Sequence, residues 1–381
     1  MAKVQPITGD VLRWAIDNAG YKPRNLERDL DLPVGAVAEW MTEASQPNQG
    51  QLRKISTKLR RPTSFFFLPQ PPSAPSVPVE WRKFAGTDIA PGAETLDGVK
   101  LASRVQITTA WVREQAELGG VKVPKLKKSD PVEESAATLR TWLHWSTARQ
   151  VASTETDAST AKSFRLALES TGIVVMHLSL DEGLTRGFSL ASSMAPLIAI
   201  NTRDPYRARL FSYAHELVHL STRSTSVCDV HESSDGLERF CNRVAAAILM
   251  PEQAFRNHVR KKVGPAKVRT VEEVSSIRNY FRASLRAAAI RLENLGLANV
   301  GLYDLVNRTA EAKKRGGQYI PGNERTKPVV RVDEYGTTFI RTVESGVDAG
   351  VLQPVQALTL LRLSEGEWST ARRLAEAGII A

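Results

Sequence analysis

The sequence predicts an α+β protein that is mainly helical and contains a small sheet. Amphipathic segments with apolar residues three and four positions apart cover most of the chain. Two short apolar runs, residues 172–176 and 195–201, have the length and composition of buried strands. With 381 residues the chain exceeds one ordinary domain, and we expect roughly two or three.

A proline-rich stretch at residues 68–80 marks the clearest domain boundary, because such runs form extended, stiff linkers. Together with the periodic segments it gives five predicted regions. These are an N-terminal helical domain, a linker, a central domain with a helical lead-in, a helical segment packing on that domain, and a C-terminal helical region, at residues 1–67, 68–94, 95–265, 266–310 and 311–381. The expected core of the lead-in includes Trp111, Leu139, Trp142 and Trp145.

Composition excludes several classes of protein. Hydrophobic residues make up 42% of the chain, which is enough for proper cores and argues against global disorder. The two cysteines, Cys228 and Cys241, exclude a disulfide scaffold and indicate a reducing compartment. No signal peptide or membrane span is recognisable, so we expect a cytoplasmic protein without membrane contact. The net charge of +10 is compatible with nucleic acid or an acidic partner.

The most informative motif is His215-Glu216-Leu217-Val218-His219. Histidines four apart lie on one face of a helix, within reach of one zinc ion. Glu216 lies one step round the helix, where its carboxylate can contact a water at the ion without being a ligand. It would take a proton from that water and later deliver one to a leaving amine. The alternative is a pair of surface histidines on a helix.

A hydrolytic zinc site needs a third protein ligand and one open position. Thr225 lies six residues beyond His219, so the longer three-histidine pattern is absent. The downstream candidates are Cys228, His231, Glu232, Asp235 and Glu238. We prefer Glu238, because it begins a helix with an apolar stripe and can point inward beside that stripe. The stripe consists of Leu237, Cys241, Val244, Ala245 and Ile248. His231 and its neighbours lie in a Ser- and Asp-rich loop, where no regular element fixes them.

Over about residues 160–255 the chain resembles the ImmA/IrrE family of metallopeptidases. The similar pieces are the strand that ends in Asn201, the helix that leads from Arg207 into the zinc motif, and the helix from Glu238 to Met250-Pro251. The resemblance implies a zincin-like core with a small sheet and two metal-bearing helices. It independently implies Glu238 as the third ligand, beside His215 and His219.

Three positions depart from the pattern of that family. Val218 replaces the usual Gly before the second histidine, Cys241 stands where Ala is usual, and Val244 where Phe is frequent. None of these changes removes a ligand. The bulkier Val218 would narrow the cleft, so it bears on the choice of substrate more than on the chemistry.

Members of the resembled family are often encoded with, or fused to, helix-turn-helix regulators. The resemblance therefore implies that the partner is a protein substrate, a repressor that the chain cleaves or regulates by contact. Relief of repression would then control stress, phage or mobile-element genes. Tyr213 and His231 are candidates for stabilising the oxyanion. For the helical bundle of residues 336–381, reception of a signal and formation of a homodimer are open options.

Residues 7–67 resemble the Xre/Cro-type helix-turn-helix domain, through residues 26–40, 51–55 and 59–62. The segment Asp31–Trp40 contains no Arg, Lys, Asn or Gln, the side chains that mainly read bases. A basic set could still hold a DNA backbone; it consists of Arg53, Lys54, Lys58, Arg60 and Arg61. DNA binding, dimerisation and docking of a partner therefore all stay open.

Two classes of function follow from these patterns. The first is a zinc endopeptidase that acts on a specific regulatory protein. The second is a DNA-binding transcriptional regulator in which the zinc site is structural or vestigial. Zinc content and a Glu216-dependent cut would distinguish the first from the second. We interpret the arginines of residues 270–297 as scaffold in either case.

Overall fold

The computed structural model describes residues 6–19, 21–59, 61–71, 93–153, 156–181, 185–223, 226–229, 236–313 and 325–378. The chain forms two compact units, Met1–Lys100 and Leu101–Ala381. The segments that we predicted beyond residue 101 therefore lie within one unit. Among the described residues, no helix combines the length and apolar character needed to cross a membrane.

The first unit is built from short helices, as the sequence predicts. They are α1 (Gly9–Asn18), α2 (Pro23–Leu30), α3 (Ala36–Met41), α4 (Gln49–Lys58) and a 3₁₀ helix (Thr63–Phe67). Helix α4 begins with a capping box, in which Asn48 and Gln51 satisfy each other's backbone N–H groups. The buried Glu27 carboxylate accepts the backbone N–H of Val37 at 3.0 Å, so α2 fixes the start of α3. The core contains Leu12, Ile16, Leu26, Val37, Trp40, Leu52, Ile55 and Phe66.

The chain continues through a lead-in of helices to a small sheet. The lead-in comprises α5 (Ala93–Gln115), α6 (Val132–Trp142), α7 (Thr147–Ala152) and α8 (Asp157–Ser170). The sheet and its intervening helix are β1 (Val174–Leu178), β2 (Thr185–Leu190), β3 (Leu197–Asn201), α9 (Tyr206–Thr222) and β4 (Ser226–Asp229). The remaining helices are α10 (Gly236–Leu249), α11 (Glu252–Val263), α12 (Val271–Phe281), α13 (Leu285–Asn294), α14 (Leu302–Lys313), α15 (Lys327–Asp348), α16 (Pro354–Leu361) and α17 (Glu365–Glu376).

The four strands lie in the order β1-β3-β2-β4. Strand β1 is parallel to β3, whereas β2 is antiparallel to both β3 and β4. The two apolar runs predicted as strands correspond to β1 and β3, although β1 begins later than predicted and extends to Leu178. The sequence did not reveal β2, because Arg186, Gly187 and Ser189 interrupt the apolar pattern.

Two of the four residues predicted for the core of the lead-in, Leu139 and Trp145, are fully buried. Trp142 is partly buried, and the prediction for Trp111 is wrong, since it is 44% exposed. Helix α5 buries one stripe, and Trp111 lies beside that stripe rather than within it. The stripe consists of Ala102, Val105, Thr109, Val112 and Arg113.

Helix α15 is broken at Gly336, whose φ of 81° and ψ of 156° are not helical. A Cβ atom at this position would lie 2.4 Å from the backbone oxygen of Val175 and 2.4 Å from Glu169 Oε1. Only glycine combines this backbone conformation with so close an approach. The break therefore lets α15 pack directly against β1 and α8.

Candidate metal centre

Helix α9 carries the histidine motif through the interior of the second unit. It packs against α8, α10, β2 and β3, and nearly every residue from Leu210 to Ser221 is buried. A helix covered on several sides cannot show a narrow apolar stripe, which explains its mixed pattern of apolar and polar residues. The histidine side chains are correspondingly secluded: His215 is 7% exposed and His219 is 1% exposed.

Three potential ligand side chains converge between α9 and α10. The Nε2 atoms of His215 and His219 lie 3.0 Å apart. Glu238, in the first turn of α10, places Oε2 3.2 Å from His215 Nε2 and Oε1 3.1 Å from His219 Nε2. The Glu238 side chain is 28% exposed, so the cluster is open to solvent on this side. The structure thus brings together the three residues that the sequence analysis favoured.

These three contacts cannot all be hydrogen bonds. A carboxylate only accepts, and each imidazole nitrogen either donates or accepts. If both Nε2 atoms donate to Glu238, they face each other as two donors. If either Nε2 accepts, its lone pair faces a carboxylate oxygen. A cation among three lone pairs removes this conflict, so the donor set fits a metal ion better than a hydrogen-bonded cluster.

The separations also suit zinc. Zinc bonds of about 2.0–2.1 Å in a tetrahedron place ligand atoms roughly 3.3–3.4 Å apart. The observed separations approach that edge length: 3.0 Å between the two Nε2 atoms, and 3.2 and 3.1 Å from them to the two different oxygens of Glu238. Two imidazole nitrogens and one carboxylate are ligands that zinc prefers, and they leave a fourth position open. The described residues therefore could hold a zinc ion.

The charge state of Glu238 agrees with a ligand role. Burial raises the pKa of Glu238, but hydrogen bonding to His215 and His219, together with their charge, outweighs burial. The net effect holds the pKa of this carboxyl well below its usual range. A metal ligand must be deprotonated, and this carboxyl is ionised at neutral pH.

Cys241 is a neighbour of the cluster rather than part of it. Its buried sulfur lies 3.8 Å from Nδ1 of His219, on the opposite side of the ring from the converging Nε2. The thiol packs under the second histidine, as the apolar stripe of α10 predicts. Its position indicates a contact that supports the ring, and not a fourth ligand.

Glu216 follows His215 on α9 and is fully buried. Its role as a base remains a prediction. The other candidates for the third ligand, the side chain of Cys228 and residues His231, Glu232 and Asp235, lie outside the described residues. Tyr213 is described, but its hydroxyl contacts His177 Nε2. That hydroxyl therefore has a partner inside the fold, and its role towards an oxyanion stays a prediction.

His177, in strand β1, belongs to a buried polar network that sequence reasoning missed. Its Nδ1 lies 2.9 Å from Oδ1 of Asp333, on α15. Arg165, on α8, donates to the same oxygen at 2.8 Å and to the backbone oxygen of Asp333 at 2.7 Å. The strand predicted from the sequence ended one residue before His177. A histidine directly after this apolar run was the signal that could have revealed the position. Nothing in the sequence pointed to Asp333.

Both ring nitrogens of His177 have partners in this network. Its Nδ1 lies 2.9 Å from Oδ1 of Asp333, which accepts, and 2.9 Å from Nη1 of Arg165, which donates, so these contacts are compatible with either neutral tautomer. Its Nε2 contacts the Tyr213 hydroxyl. Burial, together with the charge of Arg165, lowers the pKa of His177 to about 4, although Asp333 opposes both effects. The imidazole is therefore neutral at neutral pH.

This neutral histidine should make stability depend on pH. In the unfolded chain the pKa of His177 is 6.5, and in the folded chain it is about 4. The unfolded state thus binds more protons between these values, so the free energy of unfolding falls as pH falls through this window. The loss attributable to His177 should reach about 3 kcal/mol. Arg165, Asp333, Tyr213 and Arg209 are the charged and titratable groups that face it.

Urea unfolding of the native protein and of His177→Gln at about pH 7 and pH 4.5 measures this contribution. Glutamine does not titrate, so the difference in unfolding free energy between the two pH values should be smaller in the variant. An equal loss in both proteins would show that His177 does not contribute.

Comparison with known proteins agrees with the site. A peptidase family M78 model, described as the IrrE N-terminal-like domain, matches residues 168–293. The match covers about a third of the chain and contains α9, α10 and the three converging residues. It supports a similarity to the ImmA/IrrE family and to metallopeptidases. No curated protein matches the chain.

Proposed function

We propose that this chain is a zinc-dependent endopeptidase that cleaves a specific regulatory protein. The observation that carries the proposal is the convergence of His215, His219 and Glu238 on one point, with Glu216 next in the helix. The similarity of residues 168–293 to a peptidase domain supports the same reaction class. The partly exposed Glu238 gives the buried cluster a side from which a polypeptide can approach.

His215, His219 and Glu238 would hold the ion through their Nε2 and carboxylate oxygen atoms. When bound, zinc supplies Lewis acidity, which polarises a peptide carbonyl and acidifies water. Glu216 accepts the proton from the attacking water and carries it to the departing amine. Its burial on α9 limits exchange of that proton with bulk solvent.

The first unit supports a regulatory protein as the partner. We interpret it as an Xre-like helix-turn-helix in which α2 and α3 are joined through Glu27 and Val37. The exposed positions of the turn and of α3 include Val34, Ala38 and Glu39. None of these offers the donors that usually read bases, so this surface suits docking of a protein better than base recognition. A helix-turn-helix repressor is the substrate class we propose.

Incubation with the regulator encoded beside the gene tests this function. The purified protein, supplied with zinc, should cut that regulator into two fragments that mass spectrometry can identify. The Glu216→Gln protein, at the same concentration and zinc content, should leave the regulator intact. A cut that persists in this variant would mean that another group is the base. An intact regulator with zinc-loaded native protein would contradict the proposed substrate.

A further inference from the structure

Two buried contacts fasten helix α15, in the C-terminal region, to α8. Arg165 and Glu169 lie one turn apart on α8, and both side chains point to α15. Arg165 binds the side chain and the backbone oxygen of Asp333. Glu169 accepts the backbone N–H of Thr337 at 2.9 Å and its hydroxyl at 2.9 Å. Gly336 also allows α15 to approach the Glu169 carboxylate and the backbone of Val175 in β1 closely, so α15 has one closely defined position.

Asp333 is also the end of a chain of hydrogen bonds that reaches the metal helix. His177 Nδ1 lies 2.9 Å from Asp333 Oδ1, and His177 Nε2 forms a hydrogen bond with the Tyr213 hydroxyl. Tyr213 lies on α9, two residues before His215 and three before Glu216. The chain Asp333–His177–Tyr213, which we call the relay, therefore joins α15, β1 and α9 at one buried point.

The relay lies where it can set the rotation of α9 about its axis. A rotation of about 10° moves an imidazole Nε2, which lies well outside the helix backbone, by roughly 1 Å. Displacements of that size matter for metal ligands and catalytic groups, because a misplacement of about 1 Å can cost roughly a hundredfold in rate. Tyr213 is buried, and its ring contacts His177 at 6.0 Å and Phe164 at 6.4 Å between ring centroids.

We propose that His177 and Asp333 are positioning residues for the metal centre. Through Tyr213 they hold α9 in the rotation that directs His215, His219 and Glu216 into the site. Helix α15 is then a required part of the centre. This inference rests on the proposed function, and it concerns residues far from the metal ligands in sequence.

Tyr213→Phe is the sharpest test, because it removes one hydroxyl and leaves the ring. Asp333→Asn tests the other end, and the double variant tests whether the two act through the same histidine. The matched control is Thr337→Val, which removes a hydrogen bond between α15 and α8 that does not involve His177. Zinc affinity by chelator competition, the visible spectrum of the cobalt-substituted protein, kcat and thermal stability are measured for all four.

Tyr213→Phe and Asp333→Asn should each weaken zinc binding about tenfold to a hundredfold, as is usual for residues that orient ligands. They should also shift the cobalt spectrum and lower kcat more than they change KM. The double variant should lose little more than either single variant, because both interrupt one chain. Thr337→Val should lower the melting temperature and leave zinc affinity and the cobalt spectrum unchanged.

Unchanged zinc affinity and cobalt spectrum in Tyr213→Phe would overturn the relay while leaving the proposed function intact. The same conclusion would follow if Thr337→Val disturbed the metal centre equally, because the effect would then be general loosening of α15. If the native protein binds no zinc, the proposed function fails, and the relay fails with it. If Asp333→Asn does not fold, Tyr213→Phe alone still tests the relay.

Discussion

Replacing Glu216 by glutamine should lower kcat/KM by roughly a hundredfold to ten-thousandfold and leave zinc bound in full. Glutamine has nearly the same shape as glutamate but cannot accept a proton at neutral pH. Because Glu216 is buried, no solvent carboxylate can readily take its place. The measurement is the steady-state rate on the cleaved regulator, together with zinc content per protein chain.

Two matched variants serve as controls for Glu216→Gln. Glu238→Gln changes a carboxyl that contacts both histidines, so it should lose zinc as well as activity. Glu134→Gln changes an exposed carboxyl on α6 and should affect neither. If Glu216→Gln kept full activity, the base would be a different group. If it lost zinc, Glu216 would act in the metal site itself.

Removing the metal should have the second largest effect. His219→Ala should abolish stoichiometric zinc binding, because one of three converging donors is lost. In the native protein, a chelator should lower the melting temperature, since a ligand that binds only the folded state stabilises it. At free zinc of about 100 times Kd this stabilisation is about 2.7 kcal/mol. Calorimetry with and without zinc measures both effects.

Cys241→Ala is the control for metal removal. It changes a buried group 3.8 Å from His219, on the Nδ1 side of the ring, and leaves the three converging atoms in place. We expect this variant to keep one zinc ion and its zinc-dependent rise in melting temperature. His219→Ala should show no such rise. Full zinc content in His219→Ala would contradict the assignment of the centre.

The network around His177 changes the interpretation of the C-terminal region. The sequence indicated a helical region at residues 311–381 without a role. In the structure, Asp333 of that region lies within hydrogen-bonding distance of a histidine in the sheet, and α15 is fixed to α8 by buried charges. A deletion of this region would therefore expose an apolar strand and release Tyr213. Truncation to the part that resembles the family is a poor way to test activity.

The sequence by itself determined the local features of the site. A spacing of four residues places His215 and His219 on one helical face whatever surrounds them, because the helical repeat is local. The apolar stripe of α10 likewise indicated an inward direction for Glu238. Strand β3 was recognisable in the sequence because its residues are mostly apolar, and the structure buries all five of them. Each of these signals depends only on near neighbours in the chain.

Only the tertiary structure decided which elements meet. His177 and Asp333 are 156 residues apart, and no periodicity links a histidine at a strand end with an aspartate in a distant helix. Trp111 is exposed because the lead-in helix buries a different stripe, and β2 forms despite its polar residues because strands pair with it on both sides. Long-range partners are selected by packing and by pairing of buried polar groups, which act only once the chain has folded.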